Sequence, residues 1–206
     1  MNEHDGSPKS RQYRMGRRAD SVDRTRQRIT EAAVRLHTTV GPSKTSMSAV
    51  ADEAGVTRVT LYRHFRSSDE LFGACMGHWR SLHPPPDPEA WQALGTFEAR
   101  VRRALTDLYA WYSVNAEDLY PIYRDAAHTP ASNQRARQAT NERMVDAVIG
   151  RAASRKSVSR RSRAALGHVV GFWTWRSLAV EEGLSTRDAG ALAARFVLCA
   201  DRRDEH

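Results

Sequence analysis

The chain has 206 residues, 40% of them hydrophobic, and a formal net charge of +8. That is enough apolar material for a sizeable core, but no run approaches the ~18 apolar residues of a membrane span. The N-terminus is polar rather than a signal sequence, so a cytoplasmic protein is expected. Cys75 and Cys199 lie far apart without a CxxC pair, so neither a disulfide framework nor a zinc site is indicated and both read as buried reduced thiols.

The excess of positive charge favours a polyanionic partner, and its placement says more than its total. Residues 1–28 carry Lys9, Arg11, Arg14, Arg17, Arg18, Arg24, Arg26 and Arg28 against four acids. No apolar period precedes the first amphipathic stretch, so residues 1–22 read as a flexible basic arm. Such an arm either follows phosphates or enters a minor groove, or it is a leader that only aids solubility.

Residues 23–70 read as a three-helix unit. Ile29, Ala32, Ala33 and Leu36 fall on one face of a first helix. Met47, Val50, Ala51 and Ala54 recur at i, i+3, i+4 and i+7 behind Ser46, a residue suited to capping a second helix. Gly55 stands where a chain leaving a helix often needs positive φ, Val56 plugs the corner, and Thr57 is placed to cap a third helix. There Leu61 and Phe65 share the inward side, which leaves Arg58, Val59, Thr60, Tyr62, Arg63 and His64 to point elsewhere. The spacing is that of a helix-turn-helix that binds DNA. Ser67 to Glu70 then has the form of a capping box that starts a fourth helix.

The runs RITEAAVRLHTTVG and TSMSAVADEAGVTRVTLYRHFRSSDEL resemble the N-terminal domain of the TetR family of bacterial transcriptional repressors, over about a quarter of the chain. The resemblance rests on the Ala32–Ala33 pair, Gly41, AxxAGV from Ala51 to Val56, and TLYxHF from Thr60 to Phe65. It implies phosphate contacts at Thr60, Tyr62 and His64, two-fold association, and a small-molecule effector bound in the remainder of the chain. Ser68 departs from the pattern where a phosphate-binding lysine is common, so that contact is not carried over. Val59 replaces a small residue or proline, and His37 a large apolar one.

Base reading belongs to the first turn of a recognition helix. Arg58 is the candidate for a guanine, through O6 and N7 together, and Val59 offers a methyl surface to a thymine. Thr45 and Ser46 add donors to a phosphate at the amino end of the second helix. Arg28 and Thr57 complete the candidate DNA contacts.

Residues 71–206 read as a helical body, giving an all-α protein of about nine helices. The fourth helix stops before Pro84, Pro85 and Pro86. Leu94, Phe97, Val101, Ala104, Leu108 and Trp111 predict a long amphipathic helix, and Glu117 to Ala127 a shorter one that Pro121 kinks or splits. Ala131 to Ala152 predicts another, with Val145, Val148 and Ile149 inward. A second basic cluster, from Arg151 to Arg163, reads as a solvated loop. From Arg163 to Glu182 one helix is expected to carry apolar residues on more than one face, and a final helix follows Ser185. That excess suggests a homodimer interface at Val169, Phe172, Trp175, Leu192 and Phe196.

Trp111, Tyr112, Tyr120, Tyr123, Arg124, His128, Met144 and Trp173 combine apolar walls with polar handles of the sort that ligand pockets use, although most such aromatic stripes are plain core. The histidines lack metal-ligand spacing and no nucleophile context or phosphate loop is present, so no catalytic residue, metal or cofactor is expected. The reading is a homodimeric repressor on a near-palindromic operator in double-stranded DNA, with recognition helices ~34–36 Å apart, released by a small molecule of unknown identity. The alternative is a ligand-independent DNA-binding protein, an activator or architectural factor.

Overall fold

A computed structural model describes residues 8–150 and 158–200, with side chains from residue 21 onward. Among these residues there are eleven α-helices and no strand. The headpiece comprises α1 (Pro8–Thr39), α2 (Met47–Glu53) and α3 (Arg58–His64). The body comprises α4 (Ser68–Leu82), α5 (Pro88–Gln92), α6 (Phe97–Val114), α7 (Ala116–Arg124), α8 (Ala131–Ile149), α9 (Arg160–Val169), α10 (Phe172–Arg176) and α11 (Thr186–Cys199). No helix among the described residues is long and apolar enough to cross a membrane.

Helical backbone begins at Pro8, so residues 8–22, expected to be flexible, continue α1, and residues 1–7 lie outside the described residues. Four arginines together with Lys9, Gln12, Met15 and Ala19 supply residues that favour helix without needing an apolar face. Absence of amphipathic period is a weak argument against a helix that extends beyond its own core.

The headpiece closes on the side chains whose spacing selected them. Ile29, Ala32 and Ala33 of α1 are fully buried with Val50, Ala51, Leu61 and Phe65. Ser46 accepts from the Ala49 amide at 3.1 Å and Thr57 from the Thr60 amide at 3.1 Å, so each helix of the motif starts on a side-chain cap. Between them Gly55 takes φ +63°, its N–H donates to Asp52 O, and the Val56 N–H donates to Ala51 O. These paired bonds close α2 and turn the chain within three residues.

In the body, the small face of α11, from Ala189 through Val197, lies against α6, close enough that a Cβ on Gly190 would sit 3.5 Å from the Leu105 carbonyl oxygen. Pro121 lies inside α7 without splitting it, and a short 3-10 turn, Ala126–His128, follows. Pro88 to Gln92 forms a short helix of its own. The predicted single helix from Arg163 to Glu182 instead divides at Gly171 into α9, α10 and a π-helical turn, Ser177–Glu181.

That division resolves the excess of apolar surface. Because the chain changes direction at Gly171, α9 and α10 each turn an apolar face inward, and Val169, Phe172 and Trp175 are all at most 2% exposed within one chain. They belong to the body core, not to a subunit interface. The Tyr109 hydroxyl donates to Val169 O at 3.0 Å and the Tyr112 hydroxyl to Val170 O at 2.8 Å, satisfying carbonyls that the end of α9 leaves open. Leu192 and Phe196, one turn apart on α11, remain 42% and 55% exposed, and Cys199 at the end of the same helix is exposed where a buried thiol is expected, whereas Cys75 is buried.

Candidate nucleic-acid interface

The outward side of α3 is built by elimination. Leu61 and Phe65 anchor it to the headpiece core, which leaves Arg58, Val59, Tyr62 and Arg63 exposed in a row with Thr57 at the amino end. Val59 is 71% exposed, an unusual setting for a valine on a helix whose other apolar residues are packed. Thr60 and His64 lie half-buried at the edge of this face, and the Thr60 hydroxyl is 2.9 Å from that of Thr57. Ser46 is exposed at the amino end of α2, while the Thr45 hydroxyl donates back to Gly41 O at 2.8 Å.

Two arginines of α1 hold this face in position. The Arg26 guanidinium lies 4.0 Å from the Phe65 ring, donates to the carbonyl of His64 at the end of α3, and meets Glu70 of α4 at 3.3 Å. Glu70 also accepts the Arg66 backbone N–H at 2.9 Å, and that bond, with Arg26 adding to it, holds its carboxyl below the usual carboxylate range. Arg28, expected among the DNA contacts, turns to the helix-turn-helix corner and donates to the carbonyls of Ala54 at 2.6 Å and Gly55 at 3.3 Å. It caps α2 with the same kind of bond by which Arg26 caps α3. Nothing in the local spacing marks either residue, since both partners lie more than 25 residues away in the chain.

The headpiece is joined to the body where α1 ends. Gly41 takes φ +95°, and a Cβ there would overlap Arg124 and Asp125. Asp125 accepts from the Ser43 amide at 3.0 Å and from its hydroxyl at 2.5 Å, and Arg124 donates to Val40 O at 2.9 Å. The Arg124 guanidinium, bonded to Asp125 at 2.8 Å, is the largest of the influences that hold this buried carboxyl well below its ordinary value. Arg124, one of the expected ligand contacts, is therefore part of this junction. Beneath it His37 is buried, with Nδ1 3.2 Å from the Cys75 sulfur and its ring 4.8 Å from Phe72. Burial lowers the imidazole to about 4 and pushes the Cys75 thiol up to about 12.

The remaining ligand candidates divide. Tyr112 and Tyr123 both contact Phe172, the Tyr123 ring stacking on it at 4.5 Å, and burial raises both phenols above their usual value. Tyr120 lies against Arg176 at 4.4 Å and Trp173 at 6.1 Å, and Trp111 packs edge-on to Trp79. Trp173 is 47% exposed, His128 is exposed beside the headpiece, and Met144 borders a separate groove between α5 and α8. Ring contacts thus join Tyr112, Tyr123, Trp111, Trp173 and Tyr120 into one aromatic network around Phe172, with Trp111 5.4 Å from Tyr112 and Trp173 5.5 Å from Phe172, and leave His128 and Met144 outside it. The Trp175 indole N–H is buried in the same region without a hydrogen-bond partner among the described residues.

Comparison with known proteins places these features. Residues 29–75 match the family described as bacterial regulatory proteins, tetR family. A 48-residue stretch is 46% identical to the HTH-type transcriptional regulator AcrR of Shigella flexneri, covering 23% of this chain and 22% of that relative. The fold is similar to that of NalD, the secondary repressor of the MexAB-OprM multidrug efflux pump in Pseudomonas aeruginosa, with TM-score 0.63 and 18% identity over 90% of this chain and 99% of that one. A TetR-like transcriptional regulator from Rhodococcus sp. RHA1 is similar at TM-score 0.52 and 22% identity, over 84% and 93% of the two chains.

Proposed function

We propose that this chain, which carries a TetR-family N-terminal domain, is a sequence-specific DNA-binding regulator of transcription that acts as a homodimeric repressor and leaves its operator when a small molecule binds the body. The observation that carries the reading is the outward face of α3. Arg58, Val59, Tyr62 and Arg63 are exposed on a helix whose other side is locked into the headpiece core, and its ends are pinned by Thr57 and Arg26. A rigid helix of seven residues with a cationic, apolar and phenolic surface fits a major groove about 12 Å wide.

The roles follow from position. Arg58, in the first turn, bonds guanine O6 and N7 through its guanidinium fork, and Val59 meets a thymine methyl. Tyr62, Arg63 and the exposed hydroxyl of Ser46 contact phosphates and fix register rather than sequence. Leu192 and Phe196 supply the apolar stripe for two-fold packing, which sets two α3 helices about one DNA turn apart on a near-palindromic site. A ligand that favours a body conformation with wrongly spaced headpieces releases the DNA by its difference in affinity for the two states. No enzymatic step is assigned to the chain, and its place of action is the cytoplasm.

Selection of bound DNA from a random pool tests the assignment, followed by the same selection with Arg58→Ala. The wild type enriches a two-fold motif, and the variant loses preference at one base position in each half, worth about 1–3 kcal/mol, while retaining weak binding. An unchanged motif in the variant removes Arg58 from base reading. No motif in either protein removes sequence-specific regulation.

A further inference from the structure

A groove of about 720 Å³ runs between α8 and α9. Arg135, Arg137, Gln138 and Asn141 of α8 and Arg163 of α9 line it, over a floor that includes Val145. Its charge is one-sided. The one carboxylate among the lining residues, Glu142, already accepts from Gln138 at 3.0 Å, and Arg163 is paired with Asp146 at 2.9 Å. Arg135 makes no ion pair among the described residues, and Arg137 is set with its guanidinium 5.3 Å from the centre of the Tyr123 ring. Guanidinium groups beside amide donors in a concavity form a site for a small anion, because a carboxylate or phosphate accepts several charge-assisted bonds there at once.

The second observation is what lies beneath Arg137. Tyr123 stacks on Phe172, and the two residues that follow it, Arg124 and Asp125, hold Val40 O and Ser43 in the loop just ahead of α2. The end of α7 therefore meets Arg137 of the groove through Tyr123, and the headpiece through Arg124 and the residue that follows the helix, Asp125. An anion that draws Arg137 off the Tyr123 ring changes the packing of the element on which headpiece placement depends. Loss of a cation from an aromatic face is enough to bias a two-state junction several-fold.

We propose that the α8–α9 groove is an effector site for a small organic anion, carboxylate or phosphate, bound by Arg135 and Arg137, and that α7 reports its occupancy to the headpiece through the Asp125–Ser43 contact. The second half of this statement rests on the ligand-responsive reading above; the first half does not.

Calorimetry on the full-length protein tests the site with three probes: 2-naphthoate, its uncharged amide 2-naphthamide, and inorganic phosphate. Naphthoate binds, the amide binds roughly tenfold more weakly, and Arg135→Gln and Arg137→Gln each lose a similar factor while the helical circular-dichroism signal and melting temperature stay at wild-type values. Phosphate that competes with naphthoate assigns the site to anions in general, and phosphate that does not assigns it to carboxylates. No naphthoate binding, equal binding of acid and amide, or indifference to both substitutions overturns the site.

The coupling is read separately, as operator affinity with and without naphthoate. In the wild type the affinity shifts several-fold, and in Asp125→Ala, which removes both bonds to Ser43, naphthoate still binds but the shift disappears. Binding without any shift in the wild type overturns the coupling and leaves the site standing. Absence of sequence-specific DNA binding in the ligand-free protein counts against the regulator reading instead, while the calorimetry still decides the groove.

Discussion

His37 shows how one buried residue sets the acid limit of the molecule. Its folded-state value of about 4 lies below the 6.5 of an exposed imidazole, so the unfolded chain binds a proton in this interval that the folded chain refuses. The sign follows directly: full stability holds above pH ~6.5, and a cost that grows to roughly 3 kcal/mol appears as the pH falls toward 4. Asp125 and Glu70, whose folded values are depressed, contribute stability above the ordinary carboxylate range and lose it only as the pH falls below that range, under the His37 window. Urea midpoints measured between pH 7 and 4 should decline in the wild type and flatten in His37→Phe, which keeps a ring beside Phe72 but cannot titrate. An equal slope in the variant contradicts this account.

At the scale of elements, the positioning of α3 separates two roles that look alike in the sequence. An arginine that touches phosphate releases counterions, and its removal lowers the salt dependence of DNA binding by about one ion; an arginine that caps a helix does not. Arg28→Met should therefore weaken operator binding while leaving the slope of log affinity against log salt unchanged, whereas Arg63→Met should reduce that slope by about one. A reduced slope in Arg28→Met would return that residue to the phosphate contacts. Both helices of the motif were legible from local pattern, because Ser46, Gly55 and Thr57 act on backbone within three residues of themselves and Val50, Leu61 and Phe65 repeat at helical spacing. The capping by Arg26 and Arg28 was not, since those bonds join distant segments. The body was misread where a period was followed across a break: Val169, Phe172 and Trp175 looked like surplus apolar surface only while the segment was taken as one straight helix. At the amino end the error ran the other way, when residues 8–22 lacked an apolar stripe and still formed helix.

For the whole molecule the consequence is a proposed interface narrower than the sequence suggested, since Leu192 and Phe196 on α11 stay exposed while Val169, Phe172 and Trp175 are buried. Leu192→Glu combined with Phe196→Glu should yield monomers by sedimentation and lower affinity for a two-half-site operator far more than for a single half-site, because a linked pair of headpieces gains from effective concentration. A double variant that sediments as a dimer moves the interface elsewhere. All of this depends on α3 entering the major groove with Arg58 at a base edge. Methylation protection of guanine N7 on the selected operator examines that contact directly. The account predicts protected guanines in two half-sites about one helical turn apart, with protection lost in Arg58→Ala; N7 positions that stay reactive throughout the bound site, with protection confined to the sugar-phosphate backbone or minor groove, would contradict it.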